Sequence, residues 1–265
     1  MMSRYTFYLL LFLLLGSCAT SPTDRRQVVL YSEDEMARQG ESAYRQMQTE
    51  IPVTPHQSEI SYVQCVTERV IEALDDSQRT YANWEVTVFD DPQANAFALP
   101  GGKIGVYNGL LNVAYNQHQL AAVLAHEVAH VLANHSNERA SQSALRSVGL
   151  VTARILGASD AAIEAIDYGS QLGIFLPFSR TQESEADSLG IMLMARAGFD
   201  PEQSIALWEN MSADGGPRPP EFMSTHPSPD TRMADLRAMM SQAQALREQA
   251  IASGRNPDCV PGSIN

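Results

Sequence analysis

The chain has 265 residues, of which 44% are hydrophobic and 18% charged, the composition of a globular protein of one large or two small domains. Its formal net charge of −13 gives an acidic surface that disfavours nucleic acid and anionic lipid as partners. No run of like charge, internal repeat or low-complexity segment stands out, so a single domain is expected.

Arg4 precedes an apolar run from Tyr5 to Leu15, too short to span a bilayer as a helix. Leu15-Gly16-Ser17-Cys18 follows, and the whole segment resembles a bacterial lipoprotein signal with its lipobox. That resemblance implies removal of residues 1–17 and acylation of Cys18, the alternative being a plain secretory signal with an incidental cysteine. Ala19 stands where an aspartate would imply retention in the inner membrane, so the analogy favours the outer membrane, with the protein facing the periplasm. Several acyl chains on one residue make a durable anchor, whereas one chain binds only marginally. Residues 18–31 hold Ser, Thr, Pro and Arg without periodicity and read as a tether.

One folded domain is expected over residues 32–252. Ser32 and Glu35 form a capping box opening a helix to about Glu50, which Pro52 and Pro55 break. A second helix covers about Gln57 to Asp75. The period then changes: Trp84, Val86 and Val88 alternate with Glu85, Thr87 and Phe89 in a strand. Asn95 to Tyr107 reads as a hairpin turning at Pro100-Gly101-Gly102. Its second strand, Ile104 to Tyr107, is expected at a sheet edge, where Gly105 would let an extended substrate approach closely.

From Gln117 to His135 the chain has no Gly or Pro and carries apolar residues on nearly every face, so it reads as one buried helix. Inside it stand His126, Glu127 and His130. Their polar atoms would cost a few kcal/mol each if stranded there, and a metal answers that need. His126 and His130 lie four residues apart on one face, with Glu127 about 100° round the helix, the H-E-x-x-H zinc hydrolase signature. His135 points elsewhere and suits a hydrogen bond near the helix end.

Between Asn137 and Gly173 two helices divided near Gly157 are expected, and the apolar run Leu172 to Phe178 is expected to approach the ligand helix as a buried segment. Ser179 and Gln182 can cap a helix that stops at Gly198. Asp200-Pro201 opens another helix, Asp214 to Pro220 is a loop, and Ser228-Pro229 leads into a last helix to about Ile251. Residues 253–265 form a tail. Cys65 and Cys259, the pair left beside Cys18, are expected to bond in an oxidising periplasm and tie that tail to an early helix.

A catalytic zinc takes three protein ligands and keeps one position open for water. A third histidine six residues after His130 is excluded, because Ser136 stands there and Ala133 replaces the glycine such a site needs. A glutamate from a later helix is the other common solution. Glu183 offers it, with Asp187 one turn on to accept the free ring N–H of His126, while Glu185 points away and reads as solvated. His226, in Ser-Thr-His-Pro, suits either a loop hydrogen bond or a role at the metal; His56 and His118 read as surface residues.

Asn95-Ala96-Phe97-Ala98-Leu99-Pro100-Gly101-Gly102, His126-Glu127-x-x-His130 and Ser179-Arg180-x-x-Glu183-x-Glu185-Ala186-Asp187 occur in the order and spacing of one group. Over about residues 33–250 the chain resembles the HtpX-like, Oma-like and CaaX-prenyl-endopeptidase zinc metallopeptidases, in their soluble lipoprotein branch. The resemblance implies an α+β, mostly helical zincin fold of the gluzincin type, with a small mixed sheet and hairpin packed on the H-E-x-x-H helix. It implies one zinc per chain, held by His126, His130 and Glu183. Glu127 would be the catalytic base, Asp187 would serve catalysis from behind His126, and His226 would stabilise the oxyanion or block the open zinc position at rest.

The implied activity is endoproteolysis in the bacterial periplasm, on misfolded or unassembled envelope proteins. Peptides, outer-membrane proteins and their assembly machinery are the implied partners. The membrane-spanning helices of integral relatives are missing from this sequence, which argues against prenyl-protein substrates. A chaperone-like binding lipoprotein with little proteolytic activity is the competing reading. A serine hydrolase finds no support, since no G-x-S-x-G occurs.

Overall fold

A computed structural model of the chain describes residues 18–80, 82–155, 178–213, 221–226 and 231–261. Ser32 accepts a hydrogen bond from the Glu35 backbone and Glu35 returns one from the Ser32 backbone, and this capping box starts helix α1, Glu33–Glu50. Helix α2, Gln57–Glu72, ends earlier than expected, because Asp75 caps a separate short helix α3, Asp76–Thr80, by accepting from the Ser77 hydroxyl and the Gln78 backbone.

Two strands at the front of the chain replace the expected tether. Strand β1, Cys18–Thr20, pairs antiparallel with β2, Arg26–Val28, around Asp24 at a φ of 61°. Such short strands leave no readable period, and their docking rests on polar bonds to residues more than a hundred positions away. Gln27 donates to the Ala133 carbonyl at 2.6 Å, Leu30 N–H to Ser141 Oγ at 2.8 Å, and Asn137 to the Tyr31 carbonyl at 2.8 Å.

The main sheet has strands β3, Glu85–Phe89, β4, Ala96–Leu99, and β5, Lys103–Tyr107, in the order β3-β5-β4. The hairpin pairs β4 antiparallel to β5, and β3 lies parallel on the other side of β5. The expected edge strand is therefore the central one, buried along its whole length. Gly105 serves packing rather than substrate: a Cβ there would lie 2.1 Å from the Phe97 ring across the pair. Residues 52–54 cover part of the outer side of β3, through Thr54 N–H to the Val88 carbonyl and Asp90 N–H to the Pro52 carbonyl.

After a 3-10 turn, Asn108–Asn112, comes the central helix α4, Gln117–Leu132, capped by the Asn116 side chain on the His118 and Gln119 backbones. It stops short of the expected His135, because Asn134 takes a left-handed φ of 55°, a conformation asparagine tolerates without a glycine signal. Helix α5, His135–Ile155, starts there instead. Helices α6, Arg180–Arg196, α7, Glu202–Ala213, α8, Glu221–Thr225, and α9, Arg232–Ala252, complete the order; the short α8 had no sequence signal.

Val123, Leu124 and Val128 of α4 form the core with Val63, Val66 and Val70 of α2, Ile104 and Val106 of β5, and Leu193 and Met194 of α6. Helix α6 presses onto α4 where Gly190 has no side chain; a Cβ there would sit 3.1 Å from the His126 backbone nitrogen. The signal residues 1–17, the division near Gly157, the stretch from Leu172 to Pro177, the loop from Asp214 to Pro220, Ser228-Pro229 and the last four residues lie outside the described residues.

Cys65 on α2 bonds Cys259 in the tail, with Cα atoms 5.8 Å apart. The tail also grips the first residue of α4, since Cys259 N–H donates to Gln117 Oε1 at 2.8 Å and Gln117 Nε2 to the Pro257 carbonyl at 3.1 Å. The bond closes a sequence separation of 194 residues, a large restriction on the unfolded chain. Replacing both cysteines by serine is expected to lower stability by about 2–4 kcal/mol in guanidinium unfolding, with zinc content unchanged.

Candidate metal centre

Helix α4 brings His126, Glu127 and His130 into the core at 4%, 1% and 1% exposure, and α6 sets the fully buried Glu183 against them. The capping box of Ser179 and Gln182 fixes where α6 begins, and so places Glu183 in its first turn. His126 Nε2 and His130 Nε2 face each other at 3.0 Å, and each stands 3.4 Å from an oxygen of Glu183. His226 joins them from the end of α8, its Nδ1 3.3 Å from His126 Nε2 and 3.1 Å from Glu183 Oε1.

One ligand atom from each of these four residues lies within 4.8 Å of the others. The separations of 3.0–3.4 Å among them lie near the edge of a tetrahedron, about 3.3 Å, around an ion with bonds of about 2.0–2.1 Å. Three imidazoles and a carboxylate are donors that suit zinc.

Positive charge is what this pocket requires. Burial would lower the pKa of His126, but Asp187 and Glu183 overcome it and push it up to about 10, while burial drives His130 well below its ordinary value. Burial also opposes ionisation of Glu183, yet hydrogen bonds from His126, His130 and His226 hold it far below the usual carboxylate range. Asp187 Oδ1 approaches His126 Nδ1 at 3.0 Å, the contact expected from sequence. Arg232, 1% exposed, then spans both acids: its Nη2 donates to Glu183 Oε2 at 2.7 Å, its Nε to Asp187 Oδ2 at 2.5 Å, and its guanidinium lies 3.9 Å over the Trp208 ring.

Glu127 faces the same space from its own side. Its Oε2 accepts from Ala98 N–H of β4 at 3.1 Å, its Oε1 lies 3.3 Å from His226 Nε2, and burial raises its pKa. Phe178 stacks on His130 at 3.8 Å, burying the only described residue of its apolar run, and Phe222 stacks on His226 at 4.4 Å.

Two expectations on single residues are corrected. Glu185 is buried, accepting from Thr23, from Arg25 and from His135, because the front hairpin delivers a cation that the local sequence does not contain. His118 is half-buried and its Nδ1 accepts from Asp200 N–H, whereas His56 is exposed as expected. His135 makes its helix-end bonds, to Glu185 and to His130. Arg232 and Arg25 escaped sequence reading, since neither sits in a motif.

Two histidines one turn apart on a central helix, a glutamate between them and a carboxylate from a later helix define a zinc peptidase of the gluzincin type. Residues 57–240 match Peptidase family M48; the chain belongs to that family and is a zinc metalloendopeptidase. It is 36% identical to the mitochondrial metalloendopeptidase OMA1 of Schizosaccharomyces pombe over 231 residues, 85% of this chain and 67% of that protein. To human mitochondrial metalloendopeptidase OMA1 it is 35% identical over 178 residues, 63% of this chain and 34% of that one. To the beta-barrel assembly-enhancing protease of Escherichia coli it is 33% identical over 175 residues, 62% and 36% of the two chains. The chain thus spans about two thirds of the fungal relative and about a third of the other two.

Proposed function

We propose that this chain is an envelope protease anchored through Cys18 to the outer membrane, hydrolysing peptide bonds in misfolded or unassembled proteins of the periplasm. Leu15-Gly16-Ser17-Cys18 carries the placement, and the similarity to a bacterial protease named for β-barrel assembly supports it. Among the described residues no helix is long and apolar enough to cross a membrane. Labelling cells with an alkyne fatty acid tests the anchor: wild type is expected to take label and float with outer membranes, and C18A to take none. Label retained by C18A overturns the anchor.

His126, His130 and Glu183 are the ligands in this reading, with Asp187 fixing the His126 tautomer and Arg232 holding both acids in place. Zinc, when bound, supplies a Lewis acid that acidifies water and polarises the scissile carbonyl. Glu127 takes the proton from the attacking water and passes it to the leaving amine. Its raised pKa suits both tasks, and Ala98 N–H aims it by holding the far oxygen. Strand β4, whose outer side no other strand covers among the described residues, is the edge an extended substrate would join.

His226 lies between the ligand cluster and Glu127, on the spot the attacking water needs. We read it as a resting-state block. H226A is therefore expected to raise kcat/KM on a fluorogenic peptide roughly tenfold, the gain if about a tenth of the molecules are open at rest. A fall of that size instead would assign His226 to oxyanion stabilisation.

A further inference from the structure

His130 has two ring nitrogens with different duties. Its Nε2 faces His126 and Glu183, so that nitrogen keeps its lone pair for the ion and Nδ1 carries the hydrogen. The neighbour of that Nδ1 is His135 Nδ1, 2.8 Å away, which must therefore accept. His135 then carries its own hydrogen on Nε2, and this points at Glu185 Oε2 at 3.1 Å. Each tautomer is settled by the group behind it, and the series ends on a carboxylate that must stay anionic and aligned.

What aligns that carboxylate is the front hairpin. Thr23 Oγ1 donates to Glu185 Oε1 at 2.5 Å and Arg25 Nε to Glu185 Oε2 at 2.7 Å. The other two nitrogens of Arg25 fork onto Glu138 at 2.7 Å each, and Glu138 is fixed by Gln182 Nε2 at 2.8 Å, one residue before Glu183. His135 and Glu138 both stand in the first turn of α5, directly after the left-handed break at Asn134. A single guanidinium therefore ties α5 to α6 at the point where His130 needs support.

We propose that Arg25 is a positioning residue of the metal centre: by clamping Glu185 it orients His135, and through His135 it sets the tautomer and angle of His130. The role rests on His130 being a zinc ligand, as read above. Side chains behind a ligand histidine typically contribute 10–100-fold to metal affinity or activity.

The test is a double-mutant cycle on the purified full-length protein with R25A, H135F and both together, read as zinc transfer to a chromophoric chelator and as kcat and KM on a fluorogenic peptide. Each single variant is expected to lose zinc about 10–100-fold more readily and to lower kcat with KM within about twofold. The double variant is expected to be no worse than the worse single one, because both break the same line of contacts. If R25A does not fold, R25K takes its place: lysine keeps charge near Glu138 but lacks the fork that serves two carboxylates. Wild-type zinc retention in that variant, or losses that add in the double, overturns the proposal. H130A is measured alongside; if it binds zinc like wild type, the ligand reading fails instead.

Discussion

Replacing Glu127 by glutamine is expected to lower kcat roughly a thousandfold while zinc content and thermal stability stay at wild-type values. Glutamine keeps the shape of the side chain and an oxygen to accept from Ala98 N–H, so the local structure around β4 survives. What it removes is the carboxylate beside His226 Nε2, and an amide cannot carry the proton to the leaving amine. Peptide turnover and metal analysis on the same preparation separate the two effects. Undiminished cleavage by E127Q would remove Glu127 from the proton path. If E127Q cells also keep wild-type envelope integrity, the chaperone-like role gains ground over proteolysis in the cell.

Arg232→Ala is expected to cost about 3–5 kcal/mol of folding stability, more than any surface substitution in this chain. The guanidinium is almost fully buried and is the shared counter-ion of Glu183 and Asp187, so its removal strands two carboxylates in a low-dielectric core and strips contact from Trp208. The loss should be greater after zinc is removed, since a divalent ion also offsets Glu183. The held-down pKa of Glu183 adds a pH dependence to the parent protein. Its contribution is present above the unfolded carboxylate value and is lost as pH falls into the acid range. Urea unfolding of loaded and stripped protein measures both effects, and a change under about 1 kcal/mol in the stripped R232A would show that the acids are satisfied without it.

Local chemistry explains what could be read from the chain and what could not. Both capping boxes, the hairpin turn and the His126 to His130 helix carry their causes within a few residues of one another, so their positions were legible. Glu183 and Asp187 were legible because an upstream motif demanded a third donor. The central place of β5 was not: its antiparallel partner is next door in sequence, but the parallel partner β3 joins it from beyond the hairpin. Arg25, Arg232 and the burial of Glu185 were invisible for the same reason, being contacts across 45 to 160 positions between residues that look like ordinary surface charges. The end of α4 at Asn134 depended on a left-handed asparagine, which differs little in sequence from a helical one.

Helix α4 is gripped at its first residue by positions 257–259 and just past its last by Gln27. Contacts this distant in sequence form late, after most of the loop entropy between them has been overcome. A chain made from its N-terminus carries both histidines and Gln27 long before positions 257–259 can reach the start of the helix. The start of the central helix would then take its last clamp only once the tail has docked, after every ligand of the cluster is already in the chain.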